Sequence, residues 1–164
     1  MSTTEPAITF REMLAYTDFL AQRWLDYFKK NEPALAVEVG GRTPTLRDLV
    51  SHIFQVELFF ANLLFDPAAT PTARPPNLES PSLDALERMH QEAHQKLCQY
   101  VGSVSEETLR QARKLGPTTA SNRKILAQAT LHGVHHWAQV ATEVRQAGFP
   151  TLPPQDIIIS PAME

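Results

Sequence analysis

Apolar residues recur along the chain at alternating spacings of three and four, which is typical of helices that bury one face. The pattern predicts four long helices, and prolines or glycines interrupt it between them. The predicted helices cover about Ile8–Lys30, Thr45–Phe65, Ser82–Val101 and Ser121–Ala147. Four amphipathic helices without a convincing strand pattern indicate an all-α four-helix bundle.

Residues that commonly cap helices stand near the predicted ends. Three hydroxyl side chains are expected as N-caps, the first two followed by proline at the first helical position: Thr43, Ser80 and Ser121. Gly148, with Pro150 two residues beyond it, is expected to end the last helix.

Three further segments lie outside the four long helices: a long loop, a short helix and the C-terminal tail. A long loop over 66–81 contains five prolines and has Arg74 at its middle. Together with the tail over 151–164, this loop is expected to roof a pocket at one end of the bundle, because loops of this length are often functional. A short helix, Glu106–Lys114, is expected to bridge the third and fourth long helices. Asp156–Ser160 is expected to be an extended part of the tail that packs on the bundle or on a second subunit.

Length and charge exclude several classes of protein. The chain has 164 residues and a formal net charge of −3, which fits a single domain over 1–164 with its core at about 8–150. A mildly acidic chain has no general attraction for phosphate backbones, so nucleic-acid binding is not expected. The one cysteine, Cys98, excludes an internal disulfide and a cysteine-rich zinc site. No secretory signal is recognisable and the longest apolar run, 58–65, is too short to cross a bilayer, so a cytoplasmic protein without a membrane partner is expected.

Three histidines fall on inward-facing rows of the predicted helices. His132 and His136 are four residues apart and therefore project from one face of the last helix. Two imidazoles at this spacing can hold one divalent metal, which would also offset the cost of burying them. His52 lies on an inward row of the second helix, and a bundle core can bring it against the other two. Three imidazoles with further positions open to water or substrate are typical of catalytic metal sites.

Two of the other histidines and two nearby polar residues are interpreted as supporting groups. His90 and His94 have the same spacing as the first pair, and a rival site of His94 with Cys98 lacks a third partner. Four side chains are candidates for contacting and orienting the ligand imidazoles: His90, His135, Gln139 and Glu57.

The second helix is apolar on nearly every side. Phe54, Phe59 and Phe60 point in different directions around it. One bundle core is not expected to hide all of this surface, so the pattern predicts a homodimer with symmetric helix contacts.

Two segments around the three histidines match a known family pattern. The segments LHGVHHWAQVATEVRQAGF (131–149) and TLRDLVSHIFQVELFF (45–60) resemble the last and second helices of the DinB/YfiT-like metal-binding four-helix-bundle superfamily. That last helix is often written HEIHHRGQ followed by LRxxG, and Trp137-Ala138 stand here in place of its Arg-Gly. The resemblance implies His52, His132 and His136 as metal ligands, a divalent ion that is usually zinc or nickel, and frequent homodimerisation.

The resemblance also implies a reaction class, while the small-molecule substrate stays open. Some relatives are transferases or isomerases that act with a low-molecular-weight thiol, whose thiolate would form on the metal and attack an electrophile. One alternative is a metal-dependent hydrolase with Glu57 or Glu143 as the general base. The other is a non-catalytic metal-binding or ligand-binding stress-response module, so the sequence does not decide whether the protein is an enzyme.

Overall fold

Four long helices form the protein, as the sequence predicts. The computed structural model describes residues 8–66, 68, 81–150, 152 and 155–163. The helices are α1 (Phe10–Lys30), α2 (Leu46–Phe65), α3 (Leu83–Ser103), the short α4 (Glu106–Arg110) and α5 (Asn122–Gln146). Two short 3-10 helices cover Glu32–Ala36 and Ile157–Ile159, and two strands, β1 (Ala112–Leu115) and β2 (Thr118–Ser121), form an antiparallel hairpin. The expected roof over 66–81, with Arg74, lies almost wholly outside the described residues.

The N-caps of α2 and α3 differ from the prediction by two residues. Thr45, not Thr43, begins α2: its hydroxyl accepts from the Asp48 N–H, and the Asp48 carboxylate accepts from the Thr45 N–H in return. Thr43 has Leu46 three positions on, which cannot complete this reciprocal pair. Ser82 caps α3, whereas the predicted cap, Ser80, lies outside the described residues.

The two ends of α5 agree with the prediction. Ser121 is the N-cap, with its hydroxyl accepting from the Lys124 N–H. At the other end Gly148 has a φ of 79°, and the Phe149 N–H donates to the Val144 carbonyl at 3.1 Å. Glycine adopts this left-handed conformation without strain, so the helix ends there.

The segment predicted as a helix over Glu106–Lys114 is only partly helical, and this prediction was wrong for its second half. The helix ends at Arg110, and the chain then forms the β1–β2 hairpin around Gly116, whose φ is 59°. The Arg113 guanidinium donates to the Leu64 carbonyl at 3.1 Å and to the Asn122 side chain. The hairpin therefore connects the end of α2 to the beginning of α5.

The described part of the tail turns instead of being extended. Ile157–Ile159 form one 3-10 turn, which corrects the expectation for Asp156–Ser160. Ahead of this turn, the Gln155 carbonyl accepts from the Tyr16 hydroxyl at 2.9 Å, and its side-chain oxygen accepts from the Trp24 indole N–H at 3.0 Å. The tail is thus held against α1.

Aromatic packing in the core fixes the rotation of α5. The Trp137 ring stacks on Trp24 of α1 with centroids 5.8 Å apart, and Phe54 of α2 meets it edge-on at 5.7 Å. Val140 and Val144 continue this buried face of α5. Because these side chains face the core, the neighbouring face of the helix, which carries His132 and His136, turns toward α2.

One premise of the dimer prediction changes in the folded chain. Phe54 is fully buried within the monomer, whereas Phe59 and Phe60 are half-buried and Leu131 is 53% exposed. Homodimerisation stays a prediction.

α2 is long and apolar enough to meet simple criteria for a membrane span, but 56% of its most apolar window is buried inside the fold, as in the core helix of a bundle.

We expect Gly133→Ala to raise the free energy of unfolding by about 0.5–1 kcal/mol, because glycine inside a helix costs that much relative to alanine. A Cβ at Gly133 would lie 3.7 Å from Trp137 Nε1 and 3.8 Å from Ile53 Cγ2, which are ordinary contacts. Urea unfolding of the metal-free protein measures the change. Gly148→Ala is the contrasting control and should destabilise, since its φ is 79°. A destabilised Gly133→Ala variant would show that α2 and α5 leave no room for the methyl group.

Candidate metal centre

Three histidines from two helices come together in the structure. α2 supplies His52, and successive turns of α5 supply His132 and His136. One ring nitrogen from each lies within 4.8 Å of the other two, a separation suited to a shared metal ion. The ring centroids are 4.5 Å apart for His132 and His136, and 5.0 and 5.2 Å from His52 to each of them.

The surroundings favour uncharged imidazoles, the form that donates a lone pair to a metal. Partial burial, with the neighbouring His136, His52 and His135, lowers the pKa of His132 to about 4. Burial also lowers the pKa of His52, helped by the neighbouring His136 and by the charge of Arg42. Both rings are therefore neutral lone-pair donors near pH 7.

The hydrogen bonds around His52, His132 and His136, here called the triad, are compatible with a bound cation. The Gln139 side-chain oxygen lies 3.2 Å from His136 Nδ1; since an amide oxygen only accepts, this contact favours the tautomer with the proton on Nδ1, which leaves Nε2 as the nitrogen for a metal. His132 Nδ1 is buried and has no hydrogen-bond partner within the described ranges. A divalent cation supplies a partner for imidazole lone pairs that the fold otherwise leaves unsatisfied.

A cleft of about 590 Å³ opens beside this centre, a volume within the range of small-molecule sites. His52 and His136 lie in its wall together with Gln139. The loop before α2 contributes Arg42, and the first turn of α2 contributes Asp48. The histidine centre is thus reachable by a small molecule.

The sequence and the fold both resemble those of known proteins. The model of the DinB family matches residues 1–157. The chain belongs to the DinB family. Among solved structures, a DinB-like protein of Bacillus subtilis, YjoA, is similar over 90% of this chain and 96% of its own, with a TM-score of 0.64 and 20% identity. That likeness supports the helical fold, and a search of curated proteins gave no match.

The structure separates the four predicted supporting side chains of this DinB-family protein into two groups. Gln139 contacts His136, and the exposed His135 ring lies 5.2 Å from the His136 ring, centroid to centroid. Glu57 and His90 instead contact each other: Glu57 Oε2 lies 3.0 Å from His90 Nδ1. Among the described contacts, no hydrogen bond joins either one to the three clustered histidines.

His90 lies between two carboxylates. Its Nε2 is 2.9 Å from Asp18 Oδ1 of α1, while its Nδ1 faces Glu57 of α2, and its side chain is 1% exposed. Burial alone would lower the pKa of His90, but the hydrogen bonds and charges of Asp18 and Glu57 outweigh it and raise the pKa to about 9. His90 is therefore an imidazolium near pH 7, with both N–H groups donating.

Sequence reasoning missed Asp18, although a signal for it exists. On α1 the residues at 14, 18, 21, 25 and 28 form an inward row in which Asp18 is the polar exception. A carboxylate in an apolar row needs a partner, and His90 falls on the inward row of α3. The pKa of Asp18 is lowered, chiefly by its hydrogen bond to His90.

The rival pair on α3 forms a contact without becoming a metal centre. Cys98 Sγ lies 3.4 Å from His94 Nε2 on the exposed side of the helix. Partial burial, with the charge of Asp18, raises the pKa of the Cys98 thiol, so the thiol is protonated near pH 7. Within the described residues, no third ligand joins this pair.

The raised pKa of His90 makes the stability of the protein depend on pH. A pKa raised from 6.5 to about 9 gives stability that is fully present below pH 6.5 and lost as pH rises through 9. Metal-free protein should therefore lose on the order of 2–3 kcal/mol of unfolding free energy between pH 6.5 and 9.5. Urea unfolding across this range, with NMR titration of the His90 ring, measures both quantities.

Asp18→Asn tests the cause of this dependence. It should lower the pKa of His90 and move the loss of stability to lower pH, whereas Asp26→Asn, at an exposed carboxylate of the same helix, should leave the profile as in the wild type. Identical profiles for the wild type and Asp18→Asn would show that the Asp18 contact does not set the charge of His90.

Proposed function

We propose that this DinB-family protein is a metal-dependent enzyme in which His52, His132 and His136 hold a divalent cation, zinc or nickel, and which acts with a low-molecular-weight thiol. The observation that carries the proposal is the meeting of three ring nitrogens within 4.8 Å beside an open cleft. Three protein ligands leave a further coordination position free, as in catalytic rather than structural sites.

The chain's own groups have separate roles in this proposal. The three imidazoles bind, and the Gln139 amide oxygen fixes the tautomer of His136 by accepting from Nδ1. A divalent cation held there supplies a Lewis acid that lowers the pKa of a thiol, so that a nucleophilic thiolate is available at neutral pH. The cleft admits the thiol and the electrophile from solvent.

An external thiol fits the structure better than an internal nucleophile or a hydrolytic base. The Cys98 thiol lies on the exposed side of α3, outside the cleft, and its pKa is raised. Glu57, the best candidate for a general base, is hydrogen-bonded to His90. The Asp48 carboxylate in the cleft accepts hydrogen bonds from the Thr45 N–H and hydroxyl. Glu143 is not among the described residues of the cleft wall. Thiol transfer therefore ranks above hydrolysis.

Removing a ligand imidazole should remove the metal. We expect His52→Ala and His136→Ala to lower metal affinity by more than about 100-fold, because loss of a group that merely orients a ligand already costs 10- to 100-fold. Elemental analysis and chelator competition on untagged protein measure this. His94→Ala, at a histidine outside the triad, is the matched control and should keep its metal. Stoichiometric metal in His52→Ala would contradict the proposed site.

Cys98→Ala separates an external from an internal thiol. Since Cys98 lies outside the cleft, the variant should keep full metal content and any thiol-transferase activity found in a screen of small thiols and electrophiles. His52→Ala should lose both. Activity that disappears with Cys98 but survives metal removal would overturn the mechanism. Normal turnover by metal-free protein would leave a metal-independent enzyme.

A further inference from the structure

A tight loop before α2 presents one cationic side chain to the cleft. The Val39 N–H donates to the Pro44 carbonyl at 2.9 Å, which closes the loop. Within it, Gly40 and Gly41 have φ values of 84° and 68°, conformations that side chains with a Cβ rarely adopt. These two turns return the chain toward α2, and Arg42 joins His52 and His136 in the cleft wall.

Arg42 carries a charge that the described part of the chain does not neutralise. No ion pair or hydrogen bond links its guanidinium to another described residue, and the residue is exposed. Arg47, nearby on α2, is bound by contrast to the Pro81 carbonyl at 3.1 Å and to Glu32 at 3.5 Å. Arg42 lines the same cleft as His52 and His136, so its charge lies near the histidine centre.

The charge balance of the cleft favours an anionic ligand. An imidazole that binds a metal contributes no charge, so a divalent cation held by the three histidines keeps both of its charges, and Arg42 adds a third. Of the described residues lining the cleft, Asp48 supplies the carboxylate, and its Oδ2 accepts from the Thr45 hydroxyl at 2.8 Å. A single thiolate would leave positive charge over, which a second anionic group on the same molecule would balance.

We propose that Arg42 binds the carboxylate of the molecule that reaches the histidine centre, so that the substrate class is small acidic thiols rather than neutral ones. A guanidinium presents parallel N–H groups that match the two oxygens of a carboxylate. The remaining polar groups of the wall, including Gln55 and Gln139, are uncharged. This inference rests on the proposed function and adds selection of the substrate by charge.

Binding to the zinc-loaded protein tests the proposal. Calorimetry compares 3-mercaptopropionate with 3-mercaptopropionamide, its neutral counterpart of nearly equal size. The wild type should bind the acid roughly tenfold more tightly than the amide. This is a modest effect for a charge-assisted hydrogen bond, because Arg42 is exposed and solvent weakens the interaction. Arg42→Gln should lose this preference while keeping the zinc content of the wild type. Arg110→Gln, at a solvent-exposed arginine of α4, should keep the preference.

The possible results distinguish this inference from the function on which it rests. Equal affinities of the wild type for the two thiols, or a preference that survives in Arg42→Gln, would overturn the role of Arg42 and leave the thiol chemistry intact. If zinc-loaded protein binds neither thiol, the proposed thiol function fails. Malonate and acetate then decide the inference: a preference for malonate that Arg42→Gln removes supports it, and no such preference overturns it.

Discussion

The contact between α2 and α5 is the constraint on which the candidate site depends, because neither helix carries three metal ligands by itself. The burial of Trp137 against Trp24 and Phe54 fixes the rotation of α5. A helix rotated by one residue, about 100°, would turn His132 and His136 away from His52. Hydrophobic packing in the core thus determines the chemistry at the edge of the cleft, and the polar residues need no contacts of their own to be brought together.

Near pH 7, histidine is neutral at one place in this bundle and positively charged at another. His132 has imidazoles for neighbours and a pKa of about 4, whereas His90 has carboxylates on both ring nitrogens and a pKa of about 9. Burial favours the neutral form of both rings, so the different neighbours account for the difference between the two pKa values. The neutral cluster is suited to binding a cation, and the charged one is already satisfied and joins α1, α2 and α3.

Much of the fold and the triad could be predicted because helical periodicity is a strong local signal. Alternating spacings of apolar residues suffice to predict the four long helices and the inward direction of His52, His132 and His136. The strands of the hairpin are four residues each, too short to show a period, and Gly116-Pro117 read equally well as the end of a helix. Glu57 instead contacts His90 of α3, whose other ring nitrogen contacts Asp18 of α1, and residue spacing along one helix does not reveal such contacts between helices. Arg42 reaches the cleft wall because a backbone hydrogen bond closes the loop before α2, and residue spacing does not reveal this closure.

The hairpin also sets the axial alignment of the two helices that carry the histidines. Arg113 contacts the Leu64 carbonyl of α2 and the Asn122 side chain of α5. His52 lies twelve residues from Leu64, and His132 and His136 lie ten and fourteen from Asn122, an average of twelve. At 1.5 Å per residue both intervals are about 18 Å, so two antiparallel helices aligned at Arg113 arrive in axial register at the histidines. A residue inserted into only one of these intervals would shift that helix's histidines both along and around its axis, and so separate His52 from its partners.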